Sequence, residues 1–226
     1  MTEPRALIFD FNGVLLDDEP IHNRNLQTIF AEEGIPLSLE EIRTRCHGRG
    51  DWECFTFLLE EAGRDFDSSS IEKLIANKSC HYKQSISQHL PLVPGVEAFL
   101  SHWFGRVPLA LASGALLTEI EFVLERSGLA RFFTVMANTA EAGIPKPDPA
   151  VYNLALDRLR QSSSADLQAG DCLVFEDSAV GMHAALAAGM RCVGVATSAD
   201  PGELQKAELV IHDFLDPQLA RLLEMR

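Results

Sequence analysis

Apolar residues recur along the chain in two rhythms. Ala6-Leu7-Ile8-Phe9 is a short continuous apolar run, closed by the turn formers Asp10-Phe11-Asn12-Gly13. An unbroken run of that length fits a strand buried on both faces of a parallel sheet. Similar runs lie at Val107 to Ala112, Phe132 to Ala137, Cys172 to Phe175 and Cys192 to Val195. Helical patterns separate them at Glu119 to Ser127, Ala150 to Leu159 and Ala179 to Ala188. Strand then helix, repeated, predicts an α/β fold with a parallel sheet and helices on both faces. From about Asp17 to His89 the rhythm changes. No strand run appears there, and Ile21, Leu26, Ile29 and Phe30, and later Phe55, Leu58 and Leu59, recur at helical spacing. Gly34-Ile35-Pro36 and Gly63 to Ser70 read as helix-to-helix connections, and Pro91-Leu92-Val93-Pro94-Gly95 as the return to the sheet. The expected organisation is a core of residues 1–16 and 91–226 interrupted by a helical domain of residues 17–90.

Composition narrows the function classes. The 226 residues include 33 acidic and 19 basic side chains, a formal net charge of −14. A surface that grips nucleic acid needs clustered cations facing phosphates, so nucleic acid is not an expected partner. No apolar run reaches the ~18 residues of a membrane span, and a soluble, cytoplasmic protein without a membrane partner is expected. A monomer or weak homodimer is the expected assembly. The five cysteines, Cys46, Cys54, Cys80, Cys172 and Cys192, form no CxxC pair, and reduced thiols are expected. The serine triplets Ser68 to Ser70 and Ser162 to Ser164 read as short polar loops. Trp52, Phe55 and Phe57 read as core of the helical domain.

In open α/β sheets ligands bind beyond the carboxyl ends of the strands. Four polar groups fall there: Asp10, Ser113-Gly114, Lys146 within Gly143-Ile144-Pro145-Lys146-Pro147-Asp148-Pro149, and Glu176-Asp177-Ser178. Singly, each is explained by a turn or a helix cap. Jointly, carboxylates, a hydroxyl and a lysine at successive strand ends are the parts needed for Mg²⁺-assisted phosphoryl transfer.

These stretches carry a resemblance. Phe9-Asp10-Phe11-Asn12-Gly13-Val14-Leu15, Ala112-Ser113-Gly114, Lys146-Pro147-Asp148-Pro149 and Phe175-Glu176-Asp177-Ser178, followed by Gly181 and Ala187-Ala188-Gly189-Met190, resemble in order and spacing the four signatures of the haloacid dehalogenase superfamily. The insert resembles the cap of its β-phosphoglucomutase and phosphoglycolate-phosphatase branch. The resemblance implies a Rossmann-like parallel sheet core with an inserted α-helical cap domain. It implies a Mg²⁺-dependent phosphatase, with Asp10 as the nucleophile that forms an aspartyl-phosphate. The metal would be held by Asp10, the main-chain carbonyl of Asn12 and Asp177, with Glu176 in support. Ser113 and Gly114 would bind the phosphoryl oxygens, and Lys146 would offset their charge.

One position departs from the family. Its phosphatases and phosphomutases carry a second aspartate two residues after the nucleophile, where this chain has Asn12. An amide neither gives nor takes a proton at neutral pH, and losing a positioned general acid/base costs a factor of ~10²–10⁴ in rate. The expected activity is therefore hydrolysis of a small phosphorylated metabolite, a sugar phosphate, with turnover lowered by Asn12. The alternative is a catalytically impaired protein that binds such a metabolite. In the cap, Arg49 of His47-Gly48-Arg49-Gly50, Lys78 and His22 match by spacing the branch's substrate contacts. Ala115-Leu116-Leu117 offers no side-chain donors for a second phosphate, which counts against a phosphomutase. Glu176-Asp177 counts against a dehalogenase, which works without metal.

Overall fold

The computed structural model describes residues 3–46, 49–163 and 166–225. The chain divides into two compact units, residues 1–17 with 91–226 and residues 18–90.

The larger unit is a six-stranded, all-parallel sheet in the order β3-β2-β1-β4-β5-β6. Its strands are β1 (Ala6–Phe9), β2 (Leu109–Ser113), β3 (Val135–Asn138), β4 (Cys172–Glu176), β5 (Arg191–Val195) and β6 (Leu209–Ile211). Five of them match the apolar runs to within a few residues. The sixth is only three residues long and mostly half-buried, so it leaves no run to detect. The first strand pairs with β2 through Phe9↔Leu111 and with β4 through Phe9↔Phe175. Strands flank β1 on both edges and apolar side chains pack on both of its faces, so all four of its residues are fully buried. Side chains alternate across it. Ala6 and Ile8 join one core with Ala110, Val174 and the helical residues Val151, Ala155 and Met182. Phe9 points to the opposite face, stacked on Phe175 at 4.8 Å and edge-on to Phe99 at 6.2 Å. Burying a side chain of this size contributes ~1.5–3 kcal/mol.

The smaller unit is helical, with α1 (Glu19–Glu32), α2 (Leu39–Cys46), α3 (Asp51–Glu61) and α4 (Ser68–Ile86). The larger unit supplies α5 (Val96–Trp103), α6 (Leu117–Ser127), α7 (Thr139–Ala142), α8 (Ala150–Ser163), α9 (Ala179–Ala187) and α10 (Pro217–Leu222). The core of the helical unit is Leu26, Ile29, Phe30, Ile42, Phe55, Leu58, Leu59 and Ile71. No helix among the described residues is long and apolar enough to cross a membrane.

Several expectations are corrected. Cys46 and Cys54 are joined in a disulfide, with Cα atoms 5.2 Å apart, so not all five thiols are reduced. Cys80, Cys172 and Cys192 are free. Adjacent helices α2 and α3 bring the paired residues together across a short loop, a proximity that cysteine spacing alone does not reveal. Ser68 to Ser70 form the first turn of α4, because the Asp67 side chain accepts from the Ser70 amide and caps the helix. Ser162 and Ser163 end α8, and Ser164 lies outside the described residues. Phe55 is fully buried and Phe57 packs on the core, but Trp52 on the outer side of α3 is 45% exposed.

Candidate active site

The strand register puts three chemical groups at one edge of the sheet. Asp10 leaves the end of β1, Ser113 ends β2, and Glu176 ends β4 with Asp177 behind it. Lys146 comes from the loop between α7 and α8 and reaches back to this edge. Its Nζ lies 2.5 Å from Glu176 Oε1, 3.0 Å from Asp10 Oδ1 and 3.3 Å from the Ala112 carbonyl. Ser113 is buried, and its hydroxyl accepts from the Ala115 amide at 3.1 Å. The structure therefore gathers Asp10, Ser113, Lys146, Glu176 and Asp177 at the carboxyl ends of the central strands. Asn12 and Gly13 are part of the same loop, and Gly114 follows Ser113.

Two glycines are dictated by this packing. Gly13 has φ +69°, and a Cβ there would meet Asp177 Oδ2 at 2.0 Å. A Cβ at Gly181 would meet Glu176 Oε1 at 1.8 Å. Any side chain at either position would displace a carboxylate of the cluster.

The electrostatics are dominated by crowded negative charge. Oxygens of Asp10, Glu176 and Asp177 all lie within 4.8 Å of one another. Burial raises the Asp10 carboxyl to about 6; the Lys146 ammonium pulls it down and the Glu176 carboxylate pushes it up. Asp177 is pushed well above the usual carboxylate range by desolvation, then by repulsion from Glu176 and Asp10. Burial lowers the Lys146 value, but Asp10 and Glu176 more than offset it and hold the ammonium above the ordinary lysine value. Asp10 Oδ1 is buried and has no well-aligned hydrogen bond, despite its closeness to Lys146. A largely buried, all-oxygen cluster of three carboxylates facing a single ammonium suits a hard divalent cation.

Four groups here escaped the sequence reading. The Tyr152 hydroxyl donates to Glu176 Oε1 at 2.7 Å. The Ser198 hydroxyl donates to Asp177 Oδ2, and the Thr197 hydroxyl to the Gly13 carbonyl. Asn138 Nδ2 donates to the Ala115 carbonyl at 2.7 Å, bracing the loop after Ser113. Tyr152 sits in the first turn of α8, Asn138 ends β3, and Thr197 and Ser198 lie in the loop after β5, where no motif marks them.

The three candidates in the helical unit each have a partner within that unit. His22 Nε2 is 3.4 Å from Asp18 Oδ2, and its ring stacks on Tyr82 at 4.4 Å. Lys78 is buried and ion-paired with Asp51, the first residue of α3. Arg49 is exposed, with its guanidinium 4.3 Å from the centre of the Phe57 ring. His47 and Gly48 of the same loop lie outside the described residues.

A family model for haloacid dehalogenase-like hydrolases matches residues 4–189, which take in residues of both units and every site residue expected from the sequence. The chain belongs to the haloacid dehalogenase-like hydrolases. Among curated relatives, it is 30% identical over 192 residues to the fructose-1-phosphate phosphatase YqaB of Escherichia coli, covering 84% of this chain and 95% of that protein. It is 31% identical over 200 residues to a phosphorylated carbohydrates phosphatase of Thermotoga maritima, covering 88% of each. Among solved structures it is similar to CbbY from Rhodobacter sphaeroides, crystallised as a variant in complex with xylulose-(1,5)bisphosphate. That similarity has a TM-score of 0.82 and 25% identity, over 94% of this chain and 96% of the other. The curated relatives of this haloacid dehalogenase-like hydrolase include phosphatases of phosphorylated metabolites.

Proposed function

We propose that the chain is a Mg²⁺-dependent phosphatase of a small phosphorylated metabolite, a sugar phosphate, with turnover held low by Asn12. The observation that carries this reading is Lys146 held between Asp10 and Glu176 at the edge where β1, β2 and β4 end. Asp10, Asp177 and the Asn12 carbonyl would hold the cation, with Glu176 in support. Once bound, Mg²⁺ would neutralise charge on the phosphoryl oxygens and on the carboxylates. Ionised, the three carboxylates outnumber the one ammonium by two charges, the charge of one such ion.

The chain's own residues account for the rest. An oxygen of Asp10 attacks phosphorus as the bond to the leaving oxygen breaks, giving an aspartyl-phosphate and an alkoxide that must gain a proton. Ser113 and the amide of Gly114 donate to the phosphoryl oxygens, and Lys146 offsets their charge. Water then attacks phosphorus as the bond to Asp10 breaks, which restores the Asp10 carboxylate and releases phosphate, and the proton lost by the water returns to solvent. Asn12 can orient the leaving oxygen but cannot protonate it, so that proton comes from solvent and good leaving groups are favoured. The cap residues proposed to meet the substrate are His22, Arg49 and Lys78. A second reading, a protein that binds a phosphorylated metabolite with little turnover, draws on Asn12 alone.

The test is hydrolysis of p-nitrophenyl phosphate and a panel of sugar phosphates. Turnover is expected with Mg²⁺, with loss in EDTA and recovery on adding the ion back. Phosphate release that EDTA leaves untouched would remove the metal from the proposal. Tight binding of a sugar phosphate without release would favour the second reading.

A pH-dependent measurement probes the carboxylates independently of turnover. The folded Asp10 value of about 6 lies above that of an unfolded aspartate, so the fold binds the proton more tightly than the unfolded chain does. Stability of the metal-free protein attributable to this group is full below pH ~4 and falls, by up to ~3 kcal/mol, as pH rises towards ~6. Mg²⁺ competes with those protons, so it is expected to raise Tm clearly near pH ~7.5 and much less near pH ~5. Equal shifts at the two pH values would mean that these carboxylates do not hold the ion.

A further inference from the structure

Glu176 is engaged on every side. Its Oε1 accepts from Lys146 Nζ at 2.5 Å and from the Tyr152 hydroxyl at 2.7 Å. Its Oε2 accepts from the Ser178 amide at 3.2 Å and the Ser178 hydroxyl at 3.0 Å. The side chain is fully buried, and the missing Cβ of Gly181 leaves just the space that the carboxylate fills. Four protein donors on two oxygens nearly exhaust the carboxylate's accepting capacity.

Tyr152, in the first turn of α8, meets both members of the ion pair. Its hydroxyl binds Glu176, and the centre of its ring lies 5.0 Å from Lys146 Nζ, within the range of a cation–π contact. The residue is fully buried. Lys146, by contrast, is a flexible chain ending in a point charge that takes its direction from its partners. Those partners are Glu176, Asp10 and the Ala112 carbonyl.

We propose that Tyr152 is a positioning residue: its hydroxyl fixes Glu176 as the dedicated counter-ion of Lys146, and so sets where the ammonium stands beside Asp10. The kinetic half of this inference rests on the phosphatase reading above; the geometric half does not. Without the hydroxyl, Oε1 keeps one donor instead of two while Ser178 still holds Oε2, so the Oε1 end alone loosens and the ammonium that it anchors shifts with it. Loss of one buried hydrogen bond to a charged acceptor corresponds to about a tenfold effect.

Tyr152→Phe keeps the ring and removes only the hydroxyl, so it tests this arrangement directly. In a crystal structure of the variant, Lys146 Nζ is expected to have left its position between Asp10 and Glu176. In steady-state hydrolysis of p-nitrophenyl phosphate, kcat is expected to fall about tenfold with KM held. A melting curve accompanies both measurements. A lower Tm with Lys146 in place and kcat unchanged would make Tyr152 a purely structural residue and overturn the proposal. Should the native chain itself fail to release phosphate, the phosphatase reading falls, and the position of Lys146 in the variant crystal still decides the role of Tyr152.

Discussion

Asn12→Asp raises turnover of an alkyl phosphate ester such as a sugar phosphate by ~10²–10⁴-fold, the span of rate that a positioned general acid supplies. The change is isosteric. The main-chain carbonyl proposed as a metal contact is the same in both residues, and the neighbouring Gly13, which the Asp177 carboxylate requires, is untouched. The gain should be larger for alkyl esters, whose leaving oxygen needs the proton, than for p-nitrophenol, which leaves well as an anion. Asn followed by glycine is also the pairing most prone to deamidation. Mass spectrometry of the native protein must therefore show Asn12 intact, because a small aspartate fraction would imitate a slow native enzyme. If the native chain turns over briskly and the variant gains nothing, the account of residue 12 is wrong.

The second large effect is a loss. Asp10→Asn is expected to remove turnover by roughly 10⁴–10⁶-fold, as deletion of a covalent nucleophile does. The same substitution should leave the metal-free fold intact or more stable near neutral pH. Burial has already raised the Asp10 carboxyl to about 6, so the ionised side chain is an electrostatic burden that the neutral amide relieves. Loss of activity with a raised Tm in EDTA would separate chemistry from unfolding. Retained activity would remove Asp10 as the nucleophile.

The sheet and the core half of the site were largely readable in advance, for one physical reason. A strand buried on both faces must be continuously apolar, so the first polar residue after each run marks the sheet edge where ligands bind. Asp10, Ser113 and the Glu176-Asp177 pair all stand at such ends. The hidden parts fall into two kinds. Leu209–Ile211 is a short edge strand whose half-buried residues form no contrast with their surroundings. Tyr152 and Ser198 belong to a helix and a loop that only the folded sheet brings to Glu176 and Asp177. The helical unit was legible as helices, but its pairings were not. Lys78 with Asp51 and Cys46 with Cys54 depend on how α2, α3 and α4 lie against one another. Trp52 shows the limit of composition: an aromatic near the buried Phe55 and the half-buried Phe57 in sequence still turned outward.

The central place of β1 also governs how the chain is made. Of the six strands it leaves the ribosome first, yet its neighbours are β2 and β4, and Ala6 pairs with Cys172. The nascent first strand can pair with β2 only after Ser113 is made, and its other edge must wait for β4 at Cys172, a high-contact-order arrangement that slows folding and invites aggregation. A prematurely terminated product lacking Glu176 would leave Asp10 at the end of an unfinished sheet edge, exposed to chaperones rather than to substrate.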